Sequence, residues 1–163
     1  MRPTPRMVYA FIFLVCGGLI VNAIFYLQDY LGLDPCPMCI LSRYIFLTIG
    51  AIALVAASHG PKRTGARLYS SLIVLLAVAG IGVSARHSYL QHFPPKVESC
   101  GTDLEFLLTN LPFSQAFPKI FAGTGSCSAA DWKFVGLSIP EWALVWFALF
   151  GALAVWAAWR RPQ

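Results

Sequence analysis

The sequence predicts an all-α membrane protein: a four-transmembrane-helix bundle with a long, mostly irregular outer loop between helices 3 and 4. Two observations lead to this prediction. Hydrophobic residues make up 58% of the 163 residues and charged residues only 12%, about half the charged share of an average soluble domain. The apolar residues are also gathered in four long runs. Because so few charges could not cover a soluble globule, we expect residues 1–163 to form a single membrane domain.

Each apolar run has the length of a transmembrane helix. Residues 8–27 are 20 residues without a formal charge. Residues 40–57, 68–85 and 142–159 are 18 residues each, and Arg43 is the one charged residue among them. At a rise of about 1.5 Å per residue, such runs span roughly 27–30 Å, the thickness of the hydrocarbon layer. Since backbone groups inside lipid must hydrogen-bond to one another, each run should be a helix.

The first run can also be interpreted as a cleaved signal peptide, because Arg2 and Arg6 precede it. Its 20 apolar residues exceed an ordinary signal-peptide core, and no clear small-residue cleavage site follows it. We therefore expect this run to be retained as the first transmembrane helix.

The basic residues predict the orientation of the helices. Four spans place seven Lys and Arg residues on one side, and such residues favour the cytoplasmic side. Both termini are therefore expected in the cytoplasm, with outer segments at residues 28–37 and 86–141 that contain all seven acidic residues. The net charge of +5 reflects orientation rather than nucleic-acid binding, because the basic residues form no clustered stripe. The seven basic residues on the predicted cytoplasmic side are Arg2, Arg6, Lys62, Arg63, Arg67, Arg160 and Arg161.

The outer segment 86–141 is predicted to be mostly irregular. Pro94, Pro95, Pro112 and Pro118 interrupt it, as do Gly123 and Gly125, and these residue types end helices and favour turns. Two apolar stretches, residues 104–108 and 113–121, are expected either to lie on the membrane surface or to pack over the helix ends.

Four of the five cysteines fall on the predicted outer side, where disulfides form and persist. They are Cys36, Cys39, Cys100 and Cys127. Four cysteines allow three connectivities, and proximity in the sequence favours Cys36–Cys39 and Cys100–Cys127. Cys16 lies within the first apolar run, where a free cysteine behaves as a small hydrophobic residue.

The Cys36-Pro37-Met38-Cys39 motif opens the second helix. Proline suits the first helical position, where its missing N–H costs nothing. Thiolates at such a position are stabilised by unpaired N–H groups and by the helix dipole. Arg43 follows Cys39 by four residues and shares its helical face. A cation just inside the bilayer boundary is costly and usually functional. We therefore expect Arg43 to stabilise a thiolate or a bound acceptor rather than to act as a snorkelling anchor at the membrane interface.

Three other uses of the cysteines compete with a redox role. A zinc site lacks a second CxxC and a histidine at ligand spacing, and Ile40 stands where a c-type haem motif needs histidine. Two purely structural disulfides are the strongest alternative. Against it, a CxxC at a helix start is typical of reducible redox pairs.

In the order of these motifs the chain resembles the DsbB family of bacterial inner-membrane disulfide bond formation proteins, which are quinone reductases that reoxidise DsbA. The resemblance covers nearly the whole chain. It rests on the four spans, the CxxC with Arg43 in helix 2, the outer cysteine pair, and the segments 125–127 (GSC), 131–132 (DW) and 136–142 (GLSIPEW). It implies a thiol:quinone oxidoreductase in the inner membrane with periplasmic active cysteines.

The resemblance also implies roles for individual residues. Cys36 and Cys39 would be the redox pair beside the quinone, with the Cys39 thiolate in contact with its ring. Cys100 and Cys127 would exchange with a DsbA-type periplasmic thiol oxidase, with Cys100 forming the mixed disulfide. The quinone, ubiquinone or menaquinone, would be the cofactor, and no metal is expected. The residues implied at the quinone site are Arg43 and His87.

Two alternatives to this function stay open from the sequence. A VKOR-like quinone reductase would share four helices and a CxxC, but there the CxxC is expected late in the bundle. A non-catalytic membrane scaffold would use its disulfides only to brace the outer loop. Quinone-dependent oxidation of a thioredoxin-fold dithiol would distinguish the scaffold from an enzyme.

Overall fold

A computed structural model describes residues 4–33, 35–61, 63–93 and 132–159. Four helices in this part of the chain are long and apolar enough to cross a membrane, which confirms the predicted four-helix fold. The elements are α1 (Pro5–Val21), which continues as a π-helical segment (Asn22–Tyr30), α2 (Pro37–His59), α3 (Arg63–His92), β1 (Lys133–Phe134), β2 (Leu137–Ser138) and α4 (Ile139–Trp159).

The helices extend beyond the apolar runs. Helix α2 begins at Pro37, with Cys36 as its extended N-cap, and ends at His59. Gly60 caps its C-terminus in the left-handed conformation at φ 55°. Helix α3 continues for seven residues past residue 85, because helical hydrogen bonds do not require apolar side chains. The sequence places Pro94 shortly afterwards, and a proline disfavours helix in the residue before it. The predicted irregular segment is thus helical at 86–92 and 139–141, and residues 94–131 lie outside the described part.

Close packing between small and aromatic residues forms the core of the bundle. A β-carbon added to Gly80 of α3 would lie 2.6 Å from the ring of Phe147 in α4. The Phe147 ring in turn stacks on Phe46 of α2, with ring centroids 4.0 Å apart. On the other side, a β-carbon added to Gly50 of α2 would lie 3.2 Å from the β-carbon of Cys16, so the buried Cys16 packs closely against this glycine as a small core residue.

A buried polar contact joins α1 and α3 at the end of the bundle opposite the CxxC. The Tyr9 side chain is fully buried. Its hydroxyl donates to the Ala66 carbonyl at 3.0 Å and shares a second hydrogen bond of 2.8 Å with the Ser70 hydroxyl. A tyrosine in this position therefore both fills the core and satisfies its polar atom.

A two-stranded hairpin leads into α4. Strands β1 and β2 are antiparallel, with Lys133 opposite Ser138. The Glu141 carboxylate accepts hydrogen bonds from the Ser138 N–H at 2.7 Å and hydroxyl at 3.0 Å, as in a capping box. The Trp142 indole N–H donates to the Phe134 carbonyl at 3.0 Å. These contacts fix the aromatic side chains of the hairpin against the start of α4.

Candidate functional site

The N-terminus of α2 brings the two CxxC sulfurs together. Because Pro37 occupies the first helical position, Cys36 caps the helix and its Sγ accepts the Cys39 N–H at 3.4 Å. The two Sγ atoms lie 3.2 Å apart. Cys36 is buried and Cys39 half-buried. The helix start thus offers a stabilising donor to one sulfur and leaves the other partly accessible.

His87 reaches the same sulfurs from α3. Its Nε2 lies 3.7 Å from Cys36 Sγ, and the donor atoms of His87, Cys36 and Cys39 all lie within 4.8 Å of one another. The imidazole is 4% exposed. An imidazole can take up a proton from a neighbouring thiol and, once protonated, return it, so the arrangement suits proton transfer between His87 and Cys36. Two thiols and an imidazole are also donors that a thiophilic metal ion accepts.

Arg43 is held by the π-helical segment that follows α1 rather than by its own helix. Its NH1 group donates to Gln28 Oε1 at 2.8 Å and its NH2 group donates to the Ala23 carbonyl at 3.0 Å. Both acceptors belong to the π-helical segment and both are uncharged. The guanidinium is therefore fixed in place while its positive charge is left unneutralised by these contacts.

A cavity of about 660 Å³ adjoins Cys39, Arg43 and His87, within the size range of small-molecule sites. Its walls are mostly apolar and aromatic and come from α1, the π-helical segment, the first turns of α2, His87 of α3, the hairpin and the start of α4. Cys36 does not line it. The wall residues include Gly18, Tyr26, Phe46, Phe134, Trp142 and Trp146.

The structure thus brings together four of the six predicted site residues, Cys36, Cys39, Arg43 and His87. The remaining two, Cys100 and Cys127, lie outside the described residues.

Gln28 and the aromatic walls were missed by the sequence analysis. Gln28 carried a weak signal as a polar side chain at the end of an apolar run. The aromatic residues carried none, because large apolar side chains are expected throughout a membrane helix.

The chain matches a known family over most of its length. The model of the family Disulfide bond formation protein DsbB matches residues 5–157. A Disulfide bond formation protein B from Azoarcus sp. (strain BH72) is 44% identical over 156 residues, covering 96% of this chain and 93% of the relative. One from Aromatoleum aromaticum is 48% identical over 92% of this chain and 90% of the relative. One from Marinobacter nauticus is 39% identical over 97% of this chain and 94% of the relative.

Proposed function

The chain belongs to the DsbB family of disulfide bond formation proteins, and on that premise we propose that it is a thiol:quinone oxidoreductase. In this proposal it oxidises the dithiol of a DsbA-type periplasmic partner through two cysteine pairs. It passes the electrons to a membrane quinone, ubiquinone or menaquinone. The family itself establishes a disulfide-forming oxidoreductase that spans the membrane several times.

The observation that supports a quinone most directly is the cavity shared by Cys39 and Arg43. A quinone headgroup is a flat apolar ring with carbonyl oxygens at opposite edges. The aromatic residues Phe46 and Trp146 line the cavity and suit the ring, while Arg43 offers N–H donors and His87 a titratable nitrogen. A few polar groups in an apolar pocket are typical of sites that bind and orient such a ligand. The residues present therefore fit the cofactor.

The cysteines carry out the exchange steps. A thiolate of the reduced partner attacks Cys100 of a Cys100–Cys127 disulfide, and Cys127 leaves as a thiolate. The second partner thiol then closes the partner's disulfide, so that two electrons and two protons stay on the outer pair. Exchange of this pair with the Cys36–Cys39 disulfide passes them inward. A quinone bound beside Cys39 supplies the acceptor for both electrons and both protons.

His87 and Arg43 assist the membrane-side pair in this proposal. Since His87 Nε2 lies 3.7 Å from Cys36 Sγ, it can take the Cys36 proton when the disulfide forms and return it when the disulfide opens. Arg43 follows Cys39 by one helical turn, and its unneutralised charge stabilises negative charge that develops between Cys39 and the cavity.

The same proposal places the protein in the bacterial inner membrane, with both termini in the cytoplasm. The seven basic residues on one side and the seven acidic residues on the other support this orientation. The four cysteines of the relay then face the periplasm, where disulfides persist.

The two-pair relay is tested with purified protein, reduced DsbA-type partner and a short-chain ubiquinone or menaquinone. We expect the wild-type protein to couple partner oxidation to quinone reduction in a one-to-one ratio. Cys127→Ser, with a partner lacking its resolving cysteine, should accumulate a mixed disulfide at Cys100. Cys100→Ser should abolish that adduct, yet added quinone should still oxidise Cys36 and Cys39.

Cys16→Ser is the matched control. Cys16 packs in the core and is not among the residues that line the cavity, so this substitution should leave coupling unchanged. An adduct mapped by mass spectrometry to Cys36 or Cys39 would refute the relay. Absence of quinone-dependent oxidation by the wild-type protein would favour the non-catalytic scaffold.

A further inference from the structure

The π-helical segment of α1 gathers two acceptors around one guanidinium. In an α-helix, residues five apart are rotated by about 140° relative to each other. In a π-helix the i→i+5 hydrogen bond brings such residues above one another, as when the Leu31 N–H donates to the Tyr26 carbonyl at 3.1 Å. Ala23 and Gln28 are five residues apart and both accept from Arg43. The π-helical register therefore makes the paired contact possible.

The acceptors are neutral, which matters for the charge that Arg43 presents. Asp29 follows Gln28 directly but is exposed. Among the described residues no carboxylate lies within ion-pair distance of Arg43. An amide and a backbone carbonyl fix a guanidinium by direction, whereas a carboxylate would also cancel much of its field. Arg43 is thus oriented without being neutralised.

We infer that Gln28 is a positioning residue for Arg43, and that its neutral amide keeps the guanidinium directed at the cavity with its charge intact. This inference rests on the proposed function in assigning quinone as the ligand of the cavity. The guanidinium of Arg43 lies at the end of a flexible side chain with several rotatable bonds. When hydrogen bonds already fix its position, it loses less conformational entropy on binding a ligand oxygen. Losing the Gln28 contact should therefore weaken ligand binding more than it slows the chemistry.

The first test measures the position of Arg43 without any quinone. Phenylglyoxal modifies accessible arginine side chains, and mass spectrometry of the digested protein gives the rate at Arg43. We expect several-fold faster modification in Gln28→Leu than in the wild-type protein. Gln28→Glu retains Oε1 and should restore slow modification. The control Asp29→Asn, in the same segment, should match the wild type.

The second test is steady-state kinetics with a short-chain quinone. We expect Gln28→Leu to raise KM for the quinone about tenfold, the low end of the value of a hydrogen bond to a charged group, with kcat changed far less. Gln28→Glu should keep KM raised, because its carboxylate neutralises the charge. In an Arg43→Ala background, Gln28→Leu should add no further change in KM, since it acts only through Arg43.

Equal modification rates in wild type and Gln28→Leu would overturn the inference, as would an additional tenfold change in KM in the Arg43→Ala background. A normal KM in Gln28→Glu would overturn the requirement for a neutral acceptor. If the wild-type protein reduced no quinone, the proposed function would fail instead. The modification rates would still decide whether Gln28 positions Arg43.

Discussion

Among the glycines of the described residues, Gly80 is the one where an added methyl group would meet its closest neighbours. A β-carbon there would lie 2.6–2.7 Å from three ring atoms of Phe147, whereas carbon atoms in contact are about 3.5–4.0 Å apart. The ring would have to move by about 1 Å. The ring is fully buried and stacked on Phe46, so it can move only if its neighbours move with it. Overpacking of this kind costs about 1–3 kcal/mol.

Gly82 provides a matched control in the same helix, because nothing lies within 4 Å of a β-carbon built there. Gly80→Ala and Gly82→Ala share the gain in helix propensity of alanine over glycine. Their difference in unfolding free energy therefore isolates the contact with Phe147. Thermal unfolding in detergent should show that Gly80→Ala is less stable than Gly82→Ala. When both substitutions are made in a Phe147→Leu background, most of this difference in stability should disappear. Equal stability of the two alanine variants would refute the packing argument.

Two further substitutions should alter stability measurably by the same unfolding assay. Tyr9→Phe should cost about 1–2 kcal/mol because it removes the hydrogen bonds to Ala66 and Ser70 inside the core, and a cost near zero would show that water replaces them. Val135→Asn should stabilise the protein by about 1 kcal/mol, because the exposed Val135 has φ 55°, a backbone conformation that asparagine tolerates and a β-branched residue does not. A loss of stability would mean that the Val135 side chain makes a contact worth more than this strain.

The number of helices was predictable because a bilayer imposes a length and a polarity that four runs of sequence satisfy. The ends of the helices were not predictable, because an apolar run ends at the first charged residue, whereas the helical hydrogen-bond pattern continues past it. Helix α3 shows the difference: Arg86 ends its apolar run, yet the helix reaches His92. The π-helical segment could not be predicted either, since the change of register leaves no trace in an apolar run.

Cys36, Cys39 and Arg43 could be predicted as a site because they lie within about two helical turns of one another. His87 is 51 residues from Cys36, and only the resemblance to a family singled it out. Its contact follows from the seven helical residues that α3 adds beyond its apolar run. Gln28 meets Arg43 across 15 residues, and no local rule connects two side chains on different helices.

The cavity between α1 and α4 has a consequence for how ligand affinity is expressed. Gly18, well inside the apolar part of α1, lines it and is exposed, as are Tyr26 and Phe134. We therefore expect the part of the opening beside Gly18 to meet lipid rather than buffer. For a ligand that enters there, the relevant concentration is its mole fraction in the hydrophobic phase. At a fixed total amount of ligand, adding detergent or lipid dilutes the ligand within the hydrophobic phase. Apparent KM values should therefore rise in proportion to the amphiphile added. They are comparable only when they are expressed per volume of the hydrophobic phase.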